Sequence, residues 1–154
     1  MIDFKSVIPV GKKLFSRERK ITEDDFMSLV ATSGANARIH CDKDYASKSQ
    51  FGERILPGYC GLACVMGLAG SDELGKVLDQ RHIKRVAMLE LEKVTFSNPI
   101  CPGDSIHAES EVLEIIPSKS NPKRAILRVE DIGINQDKKK VLSVIRKTMI
   151  EYVD

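Results

Sequence analysis

The sequence predicts an α+β domain in which an antiparallel sheet curls around one central helix. Three observations carry this. The first half holds two helical patterns without an alternating strand–helix rhythm. The second half holds four long stretches with strand-like alternation, separated by turn signals. Between them, from Tyr59 to Ala69, every residue is apolar or glycine, the mark of a helix that must be surrounded. With 154 residues, 42% hydrophobic and 30% charged, the chain fits a single domain over 1–154 with an ordinary globular composition.

Residues 11–21, "GKKLFSRERKI", carry Leu14 and Phe15 ahead of alternating charge and read as an opening strand or extended arm. Thr22 with Asp25 three residues on forms an approximate capping box for a helix. Phe26, Leu29 and Val30 share one face of that helix, and Gly34 is placed to end it. Residues 35–56 show no sustained periodicity. So long an irregular segment in a small domain is usually functional or a lid.

Pro57 can occupy a first helical turn, where its missing N–H costs nothing. The helix after it is expected to be buried on nearly all sides, with Gly58, Gly61, Ala63, Gly67 and Ala69 allowing close approach. "RVAMLELEKVTFS", "DSIHAESEVLEII", "KRAILRVEDIGIN" and "KVLSVIRKTMIEYV" supply four strands. The turns "NPICPGD", "PSKSNPK" and "NQDKKK" between them suggest a four-strand meander of tight hairpins. One sheet curled around one apolar helix is the hot-dog arrangement.

Composition also excludes. A net charge of +2 and only 5% aromatic residues offer neither the basic surface nor the stacking platforms of a nucleic-acid binder. Lys138, Lys139, Lys140 and the cluster "SKSNPKR" read as solvated turn residues. The longest apolar run, about 59–69, is too short to span a bilayer. "MIDFKSVIPV" lacks the long hydrophobic core of a signal peptide, so the expected location is cytoplasmic. Cys41, Cys60, Cys64 and Cys101 form no C-x-x-C pair, and no paired histidines accompany them; neither a metal site nor disulfides are expected.

The stretch Gly34, Ala35, Asn36, Ala37, Arg38, Ile39, His40, Cys41, Asp42, then Tyr45 and Ala46, resembles a family signature. That signature runs roughly G-D-x-N-P-[IVL]-H-x-D-x-x-[YF]-A in the MaoC-like, or R-specific enoyl-CoA, hydratases of the hot-dog superfamily. Phe51, Gly52 and "RILPG" continue the likeness, and "VTFSNPICPGDSI" (94–106) is similar to the family's strand–Pro–x–x–Pro–Gly–Asp turn. The resemblance spans about residues 10–150. It implies an acyl-thioester substrate, carried by coenzyme A or acyl carrier protein, with no separate cofactor, and a homodimer or higher homo-oligomer. The apolar strand around Val86–Leu91 would otherwise be an exposed edge.

The same resemblance implies the site. Hydration of an enoyl thioester needs a base for the water proton and an acid for the α-carbon. It also needs a fixed donor for the developing enolate oxygen. His40 keeps the family's acid/base position, and the Gly58 amide fits the donor role at the central helix N-terminus. The family's catalytic Asp is replaced by Ala35, its Asn by Ala37 and its Pro by Arg38. Asn36 or Asp42 would then be the substitute that holds water. Two alternatives stay open. A thioester hydrolase would want a carboxylate on or near the central helix, which offers none before Asp72 and Glu73. A non-catalytic thioester-binding domain is favoured by Ala35.

Overall fold

A computed structural model describes residues 3–8 and 10–153. Of the N-terminal stretch read above, Met1, Ile2 and Pro9 lie outside the described residues, as does Asp154 at the other end. A one-turn helix, α1 (Phe4–Val7), opens the chain and buries Phe4, with Ile8 following. Four residues are too few to show a helical period, which is why the sequence did not suggest it.

The expected arm over 11–21 becomes two short strands, β1 (Lys13–Phe15) and β2 (Arg19–Lys20), both laid antiparallel on β4 (Ser105–Pro117). Ser16 holds the break between them: its N–H donates to the Ala108 carbonyl at 2.9 Å, and its Oγ accepts from the Ala108 N–H at 2.8 Å. α2 (Glu23–Ser33) starts at the expected box. The Thr22 hydroxyl accepts from the Asp25 N–H at 3.1 Å, and the Asp25 carboxylate accepts from the Thr22 N–H at 3.2 Å. Gly34 ends the helix at φ 70°, a left-handed conformation that glycine adopts without strain.

The segment over 35–56 holds two single-turn helices, α3 (Arg38–Cys41) and α4 (Lys43–Ser47). The apolar helix follows as α5 (Gly58–Ser71), with Pro57 as its N-cap rather than inside its first turn. A further helix, α6 (Glu73–Gln80), comes directly after it and buries Leu74 and Leu78. The break between the two helices falls at Asp72, not at Gly70 or Gly75, so the glycines do not mark where α6 begins.

The sheet is antiparallel throughout, in the order β1–β4–β5–β6–β3, where β3 is Ile83–Phe96, β5 Arg124–Asn135 and β6 Lys140–Tyr152. The expected four-strand meander is therefore corrected. β4, β5 and β6 are hairpin neighbours, but β3 pairs with β6 at the far edge. The connection from β3 to β4 crosses the mouth of the fold instead of closing a hairpin. Ser97 and Asn98 donate to the Val141 carbonyl, Ile100 accepts from Leu56 at 2.7 Å, and Gly103 donates to Ile21 at 2.7 Å. Turn residues signal a reversal of direction, not which neighbour the chain reverses onto.

α5 packs on β4, β5 and β6, giving the hot-dog architecture. Its inner face, with Cys60, Cys64, Val65, Leu68 and Ala69, joins Phe26, Ile106 and Leu142 in one core cluster. A second cluster gathers Phe4, Leu14, Leu74, Leu78, Val112 and Ile150 under α1 and α6. Burial on nearly all sides of α5 is also corrected. Tyr59, Ala63 and Gly67 form an exposed stripe at helical spacing, with Leu62 and Met66 half-buried beside it. An apolar helix demands cover, but its composition does not say that the same chain supplies all of it. Among the described residues no helix is long and apolar enough to cross a membrane.

Candidate active site at the N-terminus of the central helix

A cavity of about 520 Å³ opens where α5 begins. Ile55, Pro57 and Gly58 form one wall; Phe96, Asn98 and Ile100 form another. It is walled chiefly by apolar side chains, and no carboxylate lines it among the described residues. Pro57 accepts from Cys60 and Gly61, so the helical bonding pattern starts beyond Gly58. The Gly58 N–H is one of the unpaired donors that every helix start leaves, at the positive end of the helix dipole. Gly58 also suits its surroundings: a Cβ there would sit 3.0 Å from the Phe96 ring, which would have to shift. That lack of a side chain leaves its amide open to the cavity.

His40 stands on α3, half-buried behind this wall. Its Nδ1 lies 2.7 Å from the carbonyl oxygen of Ile55. A carbonyl can only accept, so Nδ1 carries the proton, and the tautomer this selects has its lone pair on Nε2. The contact sets both tautomer and ring orientation, leaving the opposite nitrogen available as a base. His40 does not itself line the cavity. It reaches it through Ile55, which does.

The remaining expected residues lie elsewhere on the same segment. Asp42 caps α4: its carboxylate accepts from the Tyr45 N–H at 2.9 Å and from Arg38 Nη2 at 2.8 Å. The Tyr45 N–H foremost, then the Arg38 guanidinium, hold its carboxyl below the usual aspartate range. The same Arg38 stacks over the Tyr45 ring at 4.6 Å. Asn36 is exposed in the link between α2 and α3. Ala35 packs against the main core cluster, and its carbonyl accepts from the Cys41 thiol at 3.4 Å. Gly58 therefore stands at the cavity, His40 is tied to its wall, and neither Asn36 nor Asp42 lines it.

Two contributions went unread in the sequence. The Ile55 carbonyl is a backbone group, which no residue type announces. Phe96 ends β3 and Asn98 follows in the β3–β4 connection, whose path over the cavity depends on the crossover. Asn98 is fastened there by donating from Nδ2 to the Lys140 carbonyl at 2.8 Å.

Comparison with known proteins places this geometry. The MaoC like domain family matches residues 5–133. The protein MaoC of Klebsiella aerogenes is 31% identical over 103 residues, which is 67% of this chain and 28% of that protein. Mesaconyl-CoA hydratase of Cereibacter sphaeroides is 31% identical over 99 residues, 60% of this chain and 29% of that enzyme. The match thus takes in less than a third of either relative's length. The crystal structure of a MaoC-like dehydratase from Rhodospirillum rubrum superposes with a TM-score of 0.76 at 28% identity, covering 96% of this chain and 95% of that one. The chain belongs to the MaoC like domain family.

Proposed function

We infer that the chain adds water to an enoyl thioester, or removes it from a 3-hydroxyacyl thioester, of coenzyme A or acyl carrier protein. The observation that carries this is the His40 ring, tied through Nδ1 to the Ile55 carbonyl in the wall of the cavity that Gly58 heads. In hydration, His40 Nε2 takes a proton from water as the hydroxyl bonds to the β-carbon. The electron pair of the double bond moves onto the thioester, where the Gly58 N–H stabilises the enolate oxygen. The proton then goes to the α-carbon as the enolate collapses. Asn36, or Asp42 if it leaves its cap, would hold the water. No separate cofactor takes part, and the chain works as a homodimer joined along the β3 edge.

Crotonyl-CoA hydration tests the reading. His40→Ala should lower kcat/KM by a factor of about 100 to 10,000 while thioester binding survives. A second reading, thioester binding without turnover, is favoured by the absence of a carboxylate along the described cavity wall. It would show as intact crotonyl-CoA binding with no hydration by the wild-type chain. Release of free coenzyme A would point instead to hydrolysis.

A further inference from the structure

A second cavity, about 570 Å³, lies between the exposed stripe of α5 and strand β3. Leu62, Met66, Met88 and Leu91 give it apolar walls. Arg146 and Thr148 also line it from the core-facing side of β6, and both are buried, at 6% and 5% exposure. Arg146 spends one donor inside the fold: its Nε bonds to Asp131, a fully buried carboxylate that also accepts from the Ser110 hydroxyl at 2.6 Å. Neither terminal nitrogen of the guanidinium has a partner among the described residues, and Nη2 is buried outright. The two N–H groups of Nη2 thus lack acceptors where no solvent reaches them. A buried orphan donor is costly, more so on a cation.

Charge agrees. Arg85 lines the same cavity and bonds only to the Gly70 carbonyl, not to a carboxylate. Two guanidiniums therefore stand against one acid, Asp131, and no acidic side chain lines the cavity among the described residues. The cavity suits one negative charge with two acceptor oxygens, the geometry that a guanidinium pairs with best. The apolar walls suit a short hydrocarbon attached to it, and the volume is that of a small-molecule site.

We propose that this cavity binds a carboxylate carried on a short apolar chain, held by Arg146 with Thr148 and Arg85. Two sources share that chemistry. One is the far carboxylate of an acyl group whose thioester sits at Gly58; Tyr59 walls both cavities, so such a chain would run along the outer face of α5. This source rests on the reading under Proposed function. The other is a free carboxylic acid.

The test is calorimetric titration of the full chain with hexanoate and with 1-hexanol. Hexanoate should bind once per chain, at least about tenfold tighter than the alcohol, from charge-assisted hydrogen bonds. Arg146→Met alone would strand Asp131, so the informative variant is Arg146→Met with Asp131→Asn, which removes both buried charges. It should erase the preference for hexanoate. Arg85→Gln, at an exposed position, should weaken hexanoate several-fold and serves if the double variant does not fold. Equal affinity for acid and alcohol overturns the proposal, as does an unchanged preference in the variants. Failure of hexanoate to bind, as when a second copy already satisfies Arg146, overturns it too. Adipyl-CoA against hexanoyl-CoA separates the sources. A preference for adipyl-CoA that the double variant loses assigns the carboxylate to the acyl chain; equal binding, with hexanoate still held, assigns a free acid. Failure of the hydratase reading alone would leave the hexanoate preference intact and abolish turnover.

Discussion

The two edges of the sheet are finished differently. At one edge, β1 and β2 are only three and two residues long, and acids at the start of α6 occupy backbone donors of β1 and of the link to β2. Glu73 accepts from the Phe15 N–H at 2.7 Å, and Asp72 accepts from the Arg17 N–H at 2.9 Å and from its guanidinium at 2.7 Å. At the other edge, β3 runs for 14 residues, exposed along nearly its whole length. Val86, Met88, Leu89, Leu91, Val94 and Phe96 all stand out of it. Short length and side-chain capping are standard ways to blunt an edge, whereas a long apolar one invites pairing. Register shifts at three places along β3 bend it without covering it. One edge is closed by its own chain. The other is left uncovered by its own chain, and the exposed stripe of α5 lies beside it.

The largest test of this contrast is at the open edge. Leu89→Lys with Leu91→Lys should raise the dissociation constant of the proposed dimer about 100-fold, with the monomer fold unchanged. Sedimentation velocity reads the assembly and circular dichroism the fold; a variant that stays the same size as wild type would remove β3 from the interface. At the closed edge the expected effect is smaller and of another kind. Glu73→Ala leaves the Phe15 N–H to solvent and should cost about 1 kcal/mol in urea unfolding, with no change in assembly.

The smallest effect is in the pH response of the same edge. The Arg17 N–H foremost, then the Arg17 charge, hold the Asp72 carboxyl below its ordinary value of 3.8. A carboxyl whose folded value is depressed adds stability that is complete above the unfolded value and disappears as pH falls through the folded one. The Arg17 amide resonance should therefore stay fixed at neutral pH and shift only below ~pH 4. Movement between ~pH 6 and ~pH 8 would mean that a different group holds the edge.

Much of the fold was readable because its signals are local. The Thr22–Asp25 box, the Gly34 stop and the alternation of β4 and β5 each depend on neighbours within a few residues. The site was half readable. His40 and Gly58 follow from a motif in chain order, but the bond that joins His40 to the cavity wall uses the Ile55 backbone 15 residues away. The Arg146 network left a trace that could have been used. Arg146 falls in phase with Leu142, Val144 and Ile150, and Asp131 with Leu127 and Val129, so both charges sit at core-facing positions of alternating strands.

By itself the sequence determined the α+β class, the apolar central helix, the strands and the family motif with alanine in its acid position. These rest on hydrophobic period, capping chemistry and residue order, which short segments carry within themselves. Only the tertiary structure decided that β3 lies beside β6, that one face of α5 stays open, and that Arg146 meets Asp131 and also lines a cavity. Those outcomes depend on which distant segments come together, and that choice is made by packing and by the satisfaction of buried polar groups over the whole chain.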